Sequence, residues 1–251
     1  MNRWVVFIAA FSVLQYSWAE DMQATLQWSQ RVELSTAMSG IVRVVNVGVG
    51  EFVKKGQILL SLDDEIYRAK VAEGNAEITR LKAEAEEDGR ELQRVMELHE
   101  RTVVATTELD QAKLRKIRSK SALTEAQARL KLNQKKLDDT SIRAPFDSMV
   151  ILRNAEPGMS VSSELQTQML LTLARAGEMI ARMQLASSQI DKLKLGQVVT
   201  VNVAGKSYTG NVKTIAMEPS SIGNESTYAV DVLFSTGVLL RAGKAVIVKL
   251  P

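Results

Sequence analysis

The sequence predicts an elongated α+β protein: a long helical coiled-coil hairpin inserted into a β-sandwich, followed by a small antiparallel β-barrel. Three observations predict it. Between about residues 64 and 139 apolar side chains recur every three to four positions among dense charges of alternating sign. Two short β-type segments flank that stretch and look like halves of one domain, 39–57 before it and 142–161 after it. From about residue 176 onward, short alternating runs are separated by Gly-containing turns.

Composition agrees with this reading and limits the function. The chain has 251 residues, 45% hydrophobic and 24% charged, enough for more than one small core. Aromatics make up only 5%, a bias that suits long helices. Thirty-two Lys and Arg against 29 Asp and Glu give a net charge of +3, which does not call for nucleic acid as a partner. The absence of cysteine excludes disulfides, thiolate metal sites and Cys nucleophiles together.

Residues 1–19 read as an export signal. Arg3 supplies the positive start, residues 4–14 form an apolar run, and Ser17-Trp18-Ala19 offers small residues where a signal peptidase cuts. The run falls short of the ~20 apolar residues that span a bilayer. Cleavage after Ala19 is therefore expected, with retention as an inner-membrane anchor as the alternative. Both readings place the remainder outside the cytoplasm.

Taken in order, residues 20–30 open the barrel and residues 31–63 form the first half of the sandwich. Residues 24–28 and 31–38 alternate as strands do, and residues 41–47 are β-branched almost throughout. Gly48, Gly50 and Gly56 break the run into tight turns, and residues 57–62 make the next strand. From Glu65 the period changes. Val71, Ile78, Ala85 and Leu92 fall seven apart, with Tyr67, Leu81 and Val95 interleaved. Gly74 and Asp88 occupy that interleaved row and are expected to weaken it, and Gly89 costs a further ~1 kcal/mol relative to Ala.

The hairpin turns near residues 99–106, where Arg101-Thr102-Val103-Val104 interrupts the helical pattern. Thr106 or Thr107 is expected to cap the return helix, with Glu108 and Asp110 favourably placed in its first turn. Leu109, Leu123, Leu130 and Leu137 share one heptad position on that helix, and Ala112 and Ala126 share the other. Lys116, Ser119 and Asn133 interrupt the seam. Arms of ~32 residues would reach ~48 Å, longer than a core helix in a compact domain. The plain structural reading of such a hairpin is a spacer.

The Gly-x-x-Val turns at Gly50/Val53 and Gly158/Val161 mark the two halves of what resembles a biotinyl/lipoyl-like domain. A long hairpin interrupting such a domain resembles the periplasmic adaptor subunits, or membrane fusion proteins, of tripartite bacterial efflux pumps. Thr140-Ser-Ile-Arg-Ala-Pro-Phe-Asp147 is similar to that family's most recognisable segment, where the second helix re-enters the lipoyl-like half (residues 140–175). The arm lengths resemble those of adaptors of resistance-nodulation-division (RND) pumps. The resemblance implies partnership with an inner-membrane transporter, an outer-membrane channel, and further copies of itself or a second adaptor. It implies no cofactor and no catalytic residues.

Two positions depart from the family pattern. Ser148 follows Ala-Pro-Phe-Asp where the family has Gly; if that turn needs a positive φ, Ser costs of order 1 kcal/mol. At the tip, RND adaptors carry an Arg, a Leu one turn later and a Ser seven residues beyond, which dock on the outer-membrane channel. Arg94 and Leu98 match that spacing, but the third position is Ala105, with Thr106 beside it. The bland reading is a solvated Arg and a seam Leu.

The remaining residues, 176–251, with 20–30, resemble the family's barrel domain. Strands are expected at 179–185, 198–203, 208–216, 227–234 and 245–250, with a short helix over 189–195 capped by Ser187 or Ser188. Larger RND adaptors add a fourth, membrane-proximal domain, which this sequence is expected to lack. Catalytic chemistry is not foreseen. His99 is the only histidine and makes no pair or cluster, and Met22, Met38 and Met159 read as core filler rather than soft-metal ligands. The tip that would carry a modified Lys in a true carrier domain is replaced by the hairpin, and Lys70 lies on a helix instead. The functional alternatives are an adaptor of an ATP-driven exporter and a self-assembling envelope scaffold without a transport partner.

Overall fold

The computed structural model describes residues 20–163, 168–222 and 225–250. The expected export signal, residues 1–19, lies outside the described residues. The chain divides into two compact units: Arg31–Ala176, and the chain before Arg31 together with that after Ala176.

The first unit is a sandwich carrying the hairpin. Its strands are β2 (Arg31–Leu34), β3 (Gly40–Val45), β4 (Phe52–Val53), β5 (Ile58–Leu62), β6 (Ser141–Arg143), β7 (Ser148–Arg153), β8 (Ser160–Val161) and β9 (Leu171–Arg175), after β1 (Glu20–Trp28) of the other unit. They form two four-stranded sheets, ordered β2-β9-β7-β4 and β6-β5-β3-β8. Between them lie Val42, Val53, Leu59, Leu60, Leu62, Val150, Val161, Leu171 and Leu173, all buried. The strand expected over residues 31–38 stops at Leu34, because Thr36 turns the chain by bonding through Oγ1 to both the N–H and the carbonyl of Met38.

The two Gly-x-x-Val turns are built alike. Gly50 and Gly158 have φ of 88° and 86°, a region open to Gly at little cost. Gly50 N–H donates to the Val150 carbonyl and Gly158 N–H to that of Val42, each 2.8 Å away, while Val53 and Val161 are both buried. Each half of the domain thereby grips a core strand of the other.

The hairpin consists of α1 (Glu65–Glu100) and α2 (Thr106–Asp138). Its ends are fixed to neighbouring strands: β5 pairs with β6, and Leu62 N–H donates to the Thr140 carbonyl at 2.8 Å. Thr140 is itself buried, and its hydroxyl donates to the Leu137 carbonyl, closing the last turn of α2. The rest of the re-entry segment is anchored too. Ile142 and Ala144 enter the core, Phe146 lies under the Arg175 guanidinium, and the Asp147 carboxylate accepts from Lys55 N–H.

Ser148 does not adopt a positive φ, so the strain considered for it does not arise. It is the first residue of β7, fully buried, and its Oγ has no hydrogen-bond partner. The cost there is that of a desolvated hydroxyl rather than a strained backbone.

The second unit is a closed barrel. After β1 come β10 (Glu178–Ala186), α3 (Ser187–Ile190), β11 (Val198–Val203), β12 (Lys206–Ile215), β13 (Ser220–Ile222), β14 (Glu225–Ser235) and β15 (Ala245–Leu250). Strand order is β10-β1-β15-β11-β12-β14-β13, and a further β10–β14 pairing closes six of these strands into a ring. Leu26, Met179, Met183, Leu185, Val201, Val230, Phe234 and Val248 fill it. The short helix begins at Ser187, and Ala186 rather than a Ser stands at its N-cap. The Gln189 side chain supplies the cap by accepting from Ala186 N–H.

Candidate docking site at the hairpin tip

The two arms meet along a seam of unequal partners. On α1 the buried positions are Gly74, Leu81 and Val95, spaced by multiples of seven; on α2 they are Ala112, Ser119 and Ala126. Leu92, Leu123, Leu130 and Leu137 form half-buried flanks. Ser119 and Asn133, expected to interrupt the seam, fit into it. The Ser119 hydroxyl donates back to the Lys116 carbonyl and the Asn133 amide to the Lys70 carbonyl across the hairpin. Gly74 does not weaken its row as expected. It admits Leu130, whose Cδ1 would lie 3.1 Å from a Cβ at that position. A row of small residues on α2 thus lets the helices approach closely, and an Arg129–Glu77 ion pair ties their flanks.

Toward the tip, the outer face of α1 becomes an ion ladder. The Arg94 guanidinium lies 2.7 Å from Glu91 and 2.9 Å from Glu87, and Arg90 also holds Glu87. Hydrogen bonds from Arg90 and then Arg94 hold the Glu87 carboxyl below its ordinary range, and Glu91 and then Glu87 raise Arg94. All of these groups are solvated. Arg94 is therefore presented within an intramolecular carboxylate clamp.

Leu98 follows one turn later and is 40% exposed. Helix α1 ends just beyond it. Thr102 adopts φ 60°, its N–H bonds to the His99 carbonyl, and Val103 N–H bonds to the Leu98 carbonyl. That pair of bonds is a Schellman closure with Thr in the place usually taken by Gly. It leaves Val103 66% exposed at the extreme end of the hairpin. A β-branched residue in this region costs roughly 1–2 kcal/mol. Nothing in the residue pattern of this stretch announces the closure, because the expected cue, a Gly, is absent.

The third tip position, Ala105, is the N-cap of α2, with extended ψ and no side-chain cap. Thr106 is the first helical residue rather than the cap, and its hydroxyl lies 3.3 Å from His99 Nε2. Arg94 and Leu98 thus share one face of α1, while Ala105 and Thr106 open the opposing helix across a five-residue turn. Elsewhere, no His, Cys, Asp and Glu group among the described residues could hold a metal ion. Met38 and Met159 pack against the sandwich core and Met22 against the barrel core. No helix among the described residues is long and apolar enough to cross a membrane.

Residues 30–174 match the model of the CzcB-like, barrel-sandwich hybrid domain, more than half of the chain. The chain belongs to this family. Relatives of this barrel-sandwich hybrid protein include the macrolide export protein MacA of Yersinia pestis, 27% identical over 80% of this chain and 58% of the relative. The pyoverdine export membrane fusion protein PvdR of Pseudomonas aeruginosa is 26% identical over 78% of this chain and 54% of that one. The hybrid chain thus spans little more than half the length of these relatives. Among solved structures, the membrane fusion protein Spr0693 of Streptococcus pneumoniae R6 covers 92% of this chain and 97% of its own, with a TM-score of 0.74 and 17% identity. A MacA–MexA chimera carrying the Pseudomonas aeruginosa MexA α-hairpin has a TM-score of 0.65 at 21% identity, over 92% of this chain and 80% of its own. The fold expected from sequence, a hairpin inserted in a sandwich that is followed by a small barrel, is shared with these solved structures.

Proposed function

We propose that this protein is a non-enzymatic periplasmic adaptor that links an inner-membrane transporter to an outer-membrane channel in the export of small molecules. The carrying observation is a hairpin whose two roots are fixed to adjacent strands of a sandwich and whose tip presents Arg94, Leu98 and Val103 to solvent. The relatives named for macrolide and pyoverdine export support the export role. Arms of 36 and 33 residues favour an RND transporter as the pump, as the hairpin length is the feature that led to that expectation. Export requires residues 1–19 to act as the signal, and work in the pump requires several copies of the adaptor, or a second adaptor, side by side.

The test is Leu98→Asp in the native host. Drug or metabolite export should be lost while protein level, export of the adaptor and helical content stay unchanged. Crosslinking of the tip to an outer-membrane channel should be lost with it. Undiminished export and crosslinking would make the hairpin a spacer. Collapse of the proton gradient with ATP levels held constant would separate an RND transporter from an ATP-driven one.

A further inference from the structure

One ladder of the barrel breaks off early. Strands β11 and β15 pair at Thr200–Lys249, Val201–Val248 and Asn202–Ile247, and the pairing stops there. The next turn is the reason. β11 leaves for β12 through Ala204 and Gly205, at φ of 48° and 84°, with Val203 paired to Lys206 across them. A tight hairpin turn of this kind needs left-handed residues, and Ala stands where Gly, Asn or Asp is usual. β15, however, begins at Ala245. Alternation sends the backbone groups of Val246 and Val248 toward β1, and those of Ala245, Ile247 and Lys249 toward β11. Ile247 and Lys249 find ladder partners. Among the described residues Ala245 finds none, because the residue that would face it has already turned away. The result is a gap of one residue in an otherwise closed wall.

A cavity of about 410 Å³ opens at this gap, lined by Gln23, Asn202, Ile247, Ala245 and the Ala204–Gly205 turn. Gln23, Ile247 and Asn202 form one row across β1, β15 and β11. Their side chains lie on the outer face, since the alternate residues Ala24, Val246, Val201 and Val203 are buried. No charged side chain lines the cavity. Asn202 Oδ1 is buried and has no hydrogen-bond partner. A desolvated carbonyl oxygen without a donor is costly, so turning it toward a donor in the cavity forfeits no bond.

We propose that this notch binds a short, uncharged stretch of peptide backbone. One ligand residue takes the ladder place that β11 gives up, exchanging N–H and carbonyl bonds with Ala245. The Asn202 side chain, donor and acceptor together, meets a neighbouring amide of the ligand. Ile247, 41% exposed, supplies an apolar floor. The Ala204–Gly205 turn closes one end of the notch, so a long strand has no room to run on. The ligand is therefore a free oligopeptide of a few residues rather than a segment of a larger partner. Without a charge in the lining, charged side chains gain nothing there. This assignment is independent of the adaptor role and of the hairpin tip.

The test is a nuclear magnetic resonance titration of the isotope-labelled protein, purified with the N-terminus it carries in the cell. The probe is a blocked, uncharged dipeptide, N-acetyl-alanyl-alanine methylamide. The Ala245 backbone amide and the Asn202 side-chain amide should shift along one saturation curve. The Asp231 amide, across the ring on β14, should not move. The analogue with esters in place of the amides should bind at least ~10-fold more weakly, because it lacks the N–H donors. Asn202→Leu should weaken the dipeptide to a similar degree with an unchanged circular dichroism spectrum. Ala245→Pro removes only a donor at the first residue of a strand, where Pro is tolerated, and should weaken it too. Absence of a shift at Ala245, equal binding of the ester, or full affinity in both variants would each overturn the proposal. The ester comparison uses the unaltered chain, so it decides even where a variant fails to fold.

Discussion

Gly74 of α1 and Leu130 of α2 occupy one layer of the hairpin, and a Cβ at residue 74 would stand 3.1 Å from the Leu130 Cδ1. Gly89, the other glycine of α1, has nothing within 4 Å of the same atom. The two should respond oppositely to a side chain. Gly89→Ala should raise hairpin stability by about 0.5–1 kcal/mol through helix propensity alone. Gly74→Val should force the arms apart and cost about 1–3 kcal/mol. Thermal unfolding followed at a helical wavelength distinguishes them, and equal effects at both sites would show that Gly74 makes no packing contact.

Ser148 offers a stabilising change in the sandwich. Its fully buried, unpartnered Oγ adds no interaction in exchange for its lost hydration. Ser148→Ala should add about 1 kcal/mol, within the 1–3 kcal/mol that an unsatisfied buried group costs. Ser148→Gly, which restores the family residue, should gain less, because Gly in a strand gives back about 0.5–1 kcal/mol. Denaturant midpoints of the three proteins check the order Ala, Gly, Ser.

In the barrel, Arg182 and Asp231 are cross-strand partners at the β10–β14 closure and share two hydrogen bonds of 2.7 Å. Asp231 is buried, so Asp231→Ala leaves the Arg182 guanidinium without its carboxylate partner. Arg182 keeps 41% of its side chain in water, which discounts the loss to about 1–2 kcal/mol. Arg182→Met combined with Asp231→Leu should recover most of it. A double-mutant cycle with no coupling would show that the pair contributes nothing.

The ion ladder near the tip should be sensitive to acid. The Glu87 carboxyl is held below its unfolded range by Arg90 and Arg94, so its stabilising contribution is present above that range. It disappears as pH falls through the lowered folded value. Helicity of the wild type should therefore fall in that acidic window more than that of Glu87→Gln, and added salt should shrink the difference. Identical acid profiles would exclude Glu87 from the ladder.

Thr102 is the last test of the tip. Thr102→Gly should relieve about 1 kcal/mol of left-handed strain and raise hairpin stability. If Thr102 serves only to close the turn, export is unchanged; Val103→Asp, beside it, should weaken channel crosslinking as Leu98→Asp does. Arg94→Lys should impair export less than Arg94→Asp, since charge survives while the planar fork is lost.

Much of this architecture was legible because periodicity changes sharply at Glu65 and because the paired Gly-x-x-Val turns repeat across the insertion. Leu81, Val95, Ala112 and Ala126 were readable as seam for the same reason. What escaped was set by long-range fit. Gly74 reads as a defect until Leu130, fifty-six residues away, is seen above it. Ser148 reads as a turn residue until its backbone proves extended and its hydroxyl sealed. Strand β13 has three residues and no alternation to announce it. Of the tip residues, Arg94 and Leu98 follow from helical spacing. The placement of Ala105 as N-cap and the outward position of Val103 depend on one torsion angle at Thr102.

The ring closure of the barrel has a consequence for life in a crowded envelope. Six strands joined end to start leave the barrel, among the described residues, only the three-residue edge of β13, and the sandwich exposes only rims of two to four residues, β2, β4, β6 and β8. Neighbouring copies pressed together therefore find almost no template for exchanging strands or templating fibres. Such a chain can stand flank to flank with its own kind and still come apart again.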